Sequence, residues 1–554
     1  MAKKRSKKGF IFLGIFVVVF IFAVFLALQK NSSLNSKDQI VVGFAQEPDS
    51  LHPLFQQMAV STEMYALLFE DLVEYDNNWK LYPRLAESIP SLEKGGVEKL
   101  SGNRMRTTWK LKEGLKWSDG WPLTAHDFVF AHEVIMDNRV PVVSRDRDER
   151  IQKIEAKDDR TFVVTWKQPY AYYYLGHSFL PKHVLEKDFK EAPDKMDQSE
   201  YNRKPLGNGA YVLNEWKPGS YLSFSSNPNY FGEKPSINHV IYNVVTGGNT
   251  LESELVSGKI KAISTVGLNL PQALGFEERK RNDFNFYYID GMVWEHVDVN
   301  LDDPILKERG VRQALLYGMN RVGMVEKLFS GKQAVSHSWL PPKHYGYNPN
   351  VKKYPYDPLK AEQILEDLGW KMGSSGVREK DGKKLEFTIM TTADNKARSD
   401  VQQLIQADWR KIGVKLEIKN QPAKVFFGET VHERKFQHFA MYAWVNSPQS
   451  DGESLWTIKN IPSKENNWQG QNNPGWRNEE ANKIDIQVPV TLEESKRKEL
   501  LSKEQEIWVE DLPALPLFWR VDISVTDKEL ENWKPTGTDT PVTWNAESWK
   551  YKML

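Results

Sequence analysis

The sequence contains no cysteine in 554 residues. That absence removes disulfides, thiolate nucleophiles and Cys-ligated zinc or iron–sulfur centres. It also removes the acylated cysteine on which a lipoprotein anchor depends. A cysteine-free chain is compatible with an oxidising compartment without proving one. Histidine is sparse, with 11 in all. His126 and His132 are six apart, off the i, i+4 spacing that places two ligands on one helix face, and no other histidines have metal-ligand spacing. No H-E-x-x-H, G-x-S-x-G or G-x-x-x-x-G-K stretch is present, so zincin, nucleophile-elbow and P-loop chemistry find no support. The residues therefore point to no metal, no cofactor and no enzyme activity.

Net charge is also missing: 74 basic residues balance 74 acidic ones. The balance is uneven along the chain. Residues 1–37 carry seven basic residues and no acid, which leaves 67 basic and 74 acidic residues on the remainder, a net of −7. A folded part with that sign does not suit phosphate neutralisation, so nucleic acid is excluded as its partner.

What the N-terminus does have is an uncharged apolar run of twenty residues, Gly9–Leu28, after the basic stretch Met1–Lys8. At about 1.5 Å per residue the run is long enough for a bilayer core of about 30 Å. Five basic residues precede it, which keeps the N-terminus in the cytoplasm. Bulky Phe25 precedes Leu26-Ala27, so no small-x-small cleavage site ends the run. The expectation is an uncleaved transmembrane anchor over 9–28, a cytoplasmic tail over 1–8 and a tether over 29–38. The alternative is a cleaved secretory signal that frees a soluble periplasmic protein. Both export the globular part.

The rest reads as alternating strands and helices. Gly207-Asn208-Gly209 is a turn signal, because Gly and Asn tolerate positive φ. Ala210–Trp216 and Tyr221–Ser225 then form a hairpin around Lys217-Pro218-Gly219-Ser220. Thr124 and Asp127 are spaced as a capping box, ahead of a stripe of Phe128, Ala131 and Ile135. Val311–Phe329 reads as one long helix. Asp357 is placed to cap a helix that starts at Pro358, where no amide is needed. Leu385–Met390, Arg398–Ile412 and Val414–Ile418 form a β-α-β succession, which favours a parallel or mixed α/β sheet. Trp294–Asn300, Phe439–Trp444 and Ala514–Trp519 read as strands. The aromatic cluster Tyr170–Tyr174 reads as core or hinge packing rather than a ligand platform.

Several of these stretches occur in one order: E-P-D-S-L-H-P at 47–53, L-Y-P-R-L-A-E-S at 81–88, W-K-L-K-E-G-L-K-W-S-D-G-W-P-L-T-A-H-D-F-V-F-A at 109–131, G-N-G-A-Y with W-K-P-G and N-P-N-Y-F at 207–231, and V-R-Q-A-L-L-Y-G-M-N-R at 311–321. Together they resemble the bacterial extracellular solute-binding proteins of family 5, the dipeptide- and oligopeptide-binding proteins of ABC importers, over residues 40–525. The resemblance implies an α/β, two-lobed periplasmic-binding-protein-like fold of class II, the large peptide-binding type, with an extra inserted domain and here a preceding transmembrane helix. Lobe I is expected from 39–84, 206–298 and 506–554, the inserted domain from 85–205, and lobe II from 299–505. It implies a monomer that closes by a hinge on a peptide or peptide-like solute and hands it to ABC permease subunits in the inner membrane. A ligand-sensing protein on the same scaffold, or an exported hydrolase, are the other readings.

The resemblance also implies where the solute is held. In oligopeptide-binding members an Asp for the ligand's amine lies three residues after a strand Trp, and an Arg lies three before it. If Trp444 is that Trp, these positions are Ser447 and Met441 here. Asp451 or Glu453, on the longer loop that follows, is then left to supply the anion, and Lys396 to meet a carboxylate. Gln46, Glu47, Asn249, Trp294, Trp444 and Asn446 complete the expected ligand-binding set.

Overall fold

The computed structural model describes residues 37–552, apart from 57, 394 and 539. The expected tail, anchor and nearly all of the tether lie outside the described residues. Among the described residues no helix is long and apolar enough to cross a membrane.

One ten-stranded mixed sheet runs through the molecule. Its strands in chain order are β1 Gln39–Phe44, β2 Tyr211–Lys217, β3 Tyr221–Ser226, β4 His239–Val244, β5 Ala262–Ile263, β6 Phe284–Val299, β7 Glu386–Met390, β8 Lys415–Ile418, β9 Phe439–Val445 and β10 Ala514–Asp527. In space they lie in the order β8-β7-β9-β6-β10-β5-β1-β4-β3-β2. β1 is parallel to β4 and β5, and β7 is parallel to β8 and β9. Buried apolar runs such as Ile40, Val42 and Phe44 are what strands covered on both faces require.

Two long strands carry this sheet from one lobe to the other. Phe284–Asp290 of β6 pairs with Val521–Asp527 of β10, while Trp294–Asp298 pairs with Ala514–Trp519, and the register shifts between Asp290 and Trp294. The first half is tied into lobe I through β5 and the second into lobe II through β9. Both strands exceed their expected lengths because each crosses from one core to the other. Gly291 sits at the shift, and an added Cβ there would stand 2.8 Å from the Arg520 carbonyl oxygen. Two large apolar cores flank the sheet. One gathers Trp294, Trp508, Trp519 and Trp456 and also takes in Leu251, Ile263 and Phe276 from the lobe I half, and the other gathers Ile40, Phe44, Trp109 and Tyr242.

Residues 97–166 build a separate four-stranded antiparallel sheet in the order Val97–Leu100, Arg104–Lys110, Thr161–Trp166, Ile151–Ala156. The helix Ala125–Met136 covers it, with the Phe128 and Phe162 rings stacked at 4.8 Å. Its start follows the capping-box reading: the Asp127 carboxylate accepts the Thr124 backbone N–H at 2.8 Å. Asp357 likewise caps Pro358–Asp367 by accepting the Lys360 N–H.

Two local readings are corrected. The expected long helix is two, Arg309–Tyr317 and Arg321–Phe329. Gly318 ends the first, and the Asn320 side chain accepts the Gly323 N–H to cap the second, so a side chain competes with helix continuation. Gly207 and Gly209 do not adopt positive φ. They are glycines because the Leu68 backbone packs on them: a Cβ on Gly207 would lie 1.9 Å from the Leu68 carbonyl oxygen, and the Gly209 N–H donates to that oxygen at 2.8 Å.

Candidate functional site

The inserted unit folds down against lobe II, and chambers lie along the seam. The Ala171 N–H donates to the Pro489 carbonyl at 2.7 Å, Arg150 pairs with Glu453 at 3.1 Å, and the Tyr172 and Tyr345 hydroxyls meet at 3.3 Å. A chamber of about 560 Å³ opens between Asp146, Arg150, Tyr170 and Tyr172 on one side and 444–455 on the other. A second, of about 440 Å³, lies between lobe I and residues 175–178. A third, of about 580 Å³, separates residues 75–94 from Lys343, Tyr345 and 492–497. These are ordinary ligand-site sizes.

Two segments wall all three. Along Tyr170–Ser178, Tyr170 and Tyr172 face the first chamber, Tyr173 and Tyr174 the third, and Gly176–Ser178 the second. The sequence reading of this cluster as packing is half the account: Tyr172 and Tyr173 are buried, and they are buried at the seam. Along 444–451, Trp444, Asn446, Ser447 and Asp451 line the first chamber, Pro448 the third, and Gln449 the first and second.

Three of the expected ligand residues therefore come together. Trp444 is half-buried, with its ring edge-on to Tyr442 at 5.6 Å. Asn446 is buried and fixed, its N–H donating to the Met292 carbonyl at 3.0 Å and its Nδ2 to that of Trp339 at 3.3 Å. Asp451 is the third, and its neighbours distinguish it from Glu453. Glu453 is paired with both Arg150 and Lys459. Asp451 has no ion pair among the described residues; its carboxylate accepts the Glu453 N–H at 3.1 Å. Loss of hydration in the chamber pushes Asp451 up to about 7, against the opposing Glu453 N–H and with the help of the Glu453 charge. Gly452 between them is packed on buried Asp485, whose Oδ1 would lie 1.9 Å from an added Cβ.

The other five lie elsewhere. Gln46 is exposed on the loop after β1. Glu47 accepts the Trp216 indole N–H at 2.8 Å and the Gly219 N–H at 3.0 Å, binding that loop to the β2–β3 hairpin. Asn249 is exposed on the helix Gly248–Val256. Trp294 is fully buried, donating to Ser336 Oγ at 3.0 Å and stacked on His296 at 4.2 Å. Lys396 points to solvent and pairs with Asp400, one turn on, at 2.8 Å. None of these lines the three chambers. The lining residues missed in sequence are Arg150, Tyr172, Trp79, Lys343, Tyr345 and Arg497; the run of tyrosines at 170–174 was their one visible signal. Met441 is fully buried. Among the described residues no group of three or more His, Asp or Glu is placed to hold a metal ion.

A charge cluster reaches the second chamber through Glu70 and Asp71. Arg84 donates to Glu70 at 2.7 Å and pairs with Glu547 at 3.1 Å, and the Tyr230 hydroxyl donates to Glu70 at 2.7 Å. Asp71 beside them accepts the Tyr65 hydroxyl at 2.8 Å and is pushed by burial up to about 6.

Known proteins share this arrangement. The sequence model for bacterial extracellular solute-binding proteins, family 5 (middle region) matches residues 80–466. The oligopeptide-binding protein AppA of Bacillus subtilis (strain 168) is 26% identical, over 96% of this chain and 97% of its own. The nickel-binding periplasmic protein of Escherichia coli (strain K12) is 26% identical over 67% of this chain and 69% of its own. The crystal structure of an oligopeptide-binding protein from Thermus thermophilus, complexed with a pentapeptide, is 30% identical and superposes with a TM-score of 0.71 over 93% of this chain and 96% of that one.

Proposed function

The chain belongs to the bacterial extracellular solute-binding proteins of family 5, and from that premise we propose that it is the substrate-binding component of an ABC importer, closing two lobes on a peptide or peptide-like solute. The observation that carries the reading is the set of chambers between lobe I, the inserted unit and lobe II, in a molecule whose main sheet passes between the lobes on β6 and β10. Such a joint lets the lobes swing, and contacts made only when shut bias the swing. Arg150–Glu453 and Tyr172–Tyr345 are contacts of that kind.

Within the first chamber the proposed ligand residues are Trp444, Asn446 and Asp451. Trp444 offers an apolar face, and fixed Asn446 offers amide partners to an extended backbone. Asp451 takes the ammonium end. It replaces the acid that the resemblance puts at Ser447, and its lack of an ion pair leaves it open to a cationic ligand group. The lobe boundaries we propose are 39–84, 206–298 and 506–554 for lobe I, 85–205 for the inserted domain and 299–505 for lobe II. We further propose that residues 9–28 tether the monomer to the outer face of the cytoplasmic membrane, near its permease.

Calorimetry on the full chain in mild detergent tests the reading. A pool of random pentapeptides is expected to bind saturably, and native mass spectrometry is expected to recover the bound peptides intact. Cleavage of the pool would favour a hydrolase, and no binding at all would sink the peptide reading.

A further inference from the structure

We propose that Asp485 and Glu504 are positioning residues, a carboxyl pair that shares a proton beneath the loop 445–453 and so holds Asn446 and Asp451 in place. The assignment rests on the peptide reading above for what that loop binds. It adds how the loop is held and what loosens it.

The two acids lie on neighbouring helices of lobe II, Glu479–Gln487 and Glu494–Asp511. Both are fully buried. A carboxylate withdrawn from water is ordinarily met by a cation or by several donors. Among the described residues neither acid has an ion pair, and Asp485 Oδ1, Asp485 Oδ2 and Glu504 Oε1 have no hydrogen-bond partner. Glu504 Oε2 alone is engaged, accepting the Trp339 indole N–H at 2.8 Å. Acceptors cannot satisfy one another while both groups are ionised. One proton changes that, because a carboxyl O–H on either residue is the donor that the oxygens of the other lack. Two like charges in one dry site also oppose full ionisation.

The charges facing the pair are of one sign. Glu504 acts on Asp485 most strongly, followed by Asp451 and Glu453 from the loop. The cations at that loop, Arg150 and Lys459, are engaged by Glu453. Lys503, on the helix of Glu504, pairs with Glu480 at the surface. His344, beside Ser450 of the loop, is kept neutral by burial, which lowers it to about 3. Burial and the three acids push Asp485 well above the usual carboxylate range, and burial pushes Glu504 up against the Trp339 hydrogen bond.

Each acid reaches one end of the loop. Trp339, whose indole N–H meets Glu504, accepts the Asn446 Nδ2 at its carbonyl at 3.3 Å. Asp485 lies directly under Gly452, where its Oδ1 would stand 1.9 Å from an added Cβ, so glycine alone admits the contact. Gly452 joins Asp451 to Glu453, and both of these line the first chamber. Asn482, on the helix of Asp485, accepts the Ile458 N–H at 2.8 Å and ties that helix to the chain beyond the loop. With a proton on the pair, the loop sits on a floor of reduced charge. With both groups ionised, negative charge gathers beneath Asp451 and Glu453, and the repulsion falls on the loop.

The double variant Asp485→Asn/Glu504→Gln keeps the shapes and fixes both groups neutral. Hydrogen exchange over 445–456, read by mass spectrometry on the empty full chain in detergent, tests the pair. From pH 7 to pH 9.5 the parent is expected to lose protection there by about tenfold or more relative to the variant at the same pH. The same pH course in both proteins, or lower protection in the variant at every pH, overturns the pair and leaves plain packing. Protection that follows sodium or calcium concentration instead of pH overturns it in favour of a bound cation. Should the double variant not fold, Glu504→Gln, which keeps an acceptor for Trp339, is expected to shift the pH midpoint of the loosening, and an unmoved midpoint overturns the pair. The readout needs no solute. A failure of the peptide reading shows separately, as absence of pentapeptide binding in parent and variant alike.

Discussion

Asp451 and Glu453 sit two residues apart on one loop and line one chamber, yet they face opposite electrostatic circumstances. Glu453 is gripped by Arg150 from the inserted unit and by Lys459 from its own lobe. Its charge is neutralised within the protein, by pairs on both sides of the seam. Asp451 finds a backbone amide and the Tyr172 hydroxyl but no ion pair among the described residues, and burial outweighs the more distant Arg150 charge to hold its proton up to about 7. The fold sets which charges are left unpaired, and composition or local sequence does not distinguish them from the paired ones.

The comparison breaks most sharply at Asp451→Asn. Removing the partner of a desolvated ammonium costs about 2–5 kcal/mol, a rise in Kd of roughly thirtyfold or more, readable by calorimetry with the random pentapeptide pool. An unchanged Kd would remove Asp451 from the site. Next comes pH. Asp451 has its proton held above the usual carboxylate range in the empty cleft, and an ammonium needs the carboxylate. Below pH 7 a proton must therefore leave on binding, and the Kd is expected to rise by up to about tenfold per pH unit on the acid side, flattening above pH 7. Titrations in buffers of different ionisation enthalpy should register that proton at pH 6 and not in Asp451→Asn. For the empty protein the sign is the same as for any acid with a raised folded value. Its contribution to stability is complete below the unfolded value and is lost as pH rises through about 7. The smallest effect belongs to Glu453→Gln. Its pair with Arg150 is partly solvated, with side chains 28% and 20% exposed, so about 1 kcal/mol or less is involved. A few-fold faster ligand release in stopped flow is the expected outcome; a loss as large as that of Asp451→Asn would erase the distinction.

Short-range chemistry was legible in the sequence. The starts of the helices at Thr124 and Asp357 follow from side chains reaching amides three residues on. The mixed sheet around β7 and β8 follows from the β-α-β order. Where a local signal had two physical readings, the surroundings chose: the glycines at 207 and 209 serve close approach to Leu68 rather than positive φ, and Asn320 breaks a periodic helix because its side chain competes for an amide. Within the proposed site, Trp444, Asn446 and Asp451 were reached through the resemblance, since Trp444 ends β9 and the other two lie on the loop that follows. Trp294 looked the same in sequence as Trp444 and proved to be core, because its strand position faces Trp508 and Trp519 rather than the cleft.

The amino-acid sequence by itself determined the exclusion of thiol chemistry, the family through motifs in a fixed order, and an α/β chain of more than one lobe; each of these is a property of residue types and their spacing. Only the tertiary structure decided which charges are paired and which are free. Arg150 meets Glu453, and Tyr172 meets Tyr345, across stretches of chain far too long for any local rule to register. A charge is available to a ligand when folding brings it no partner, and that is a fact about neighbours in space.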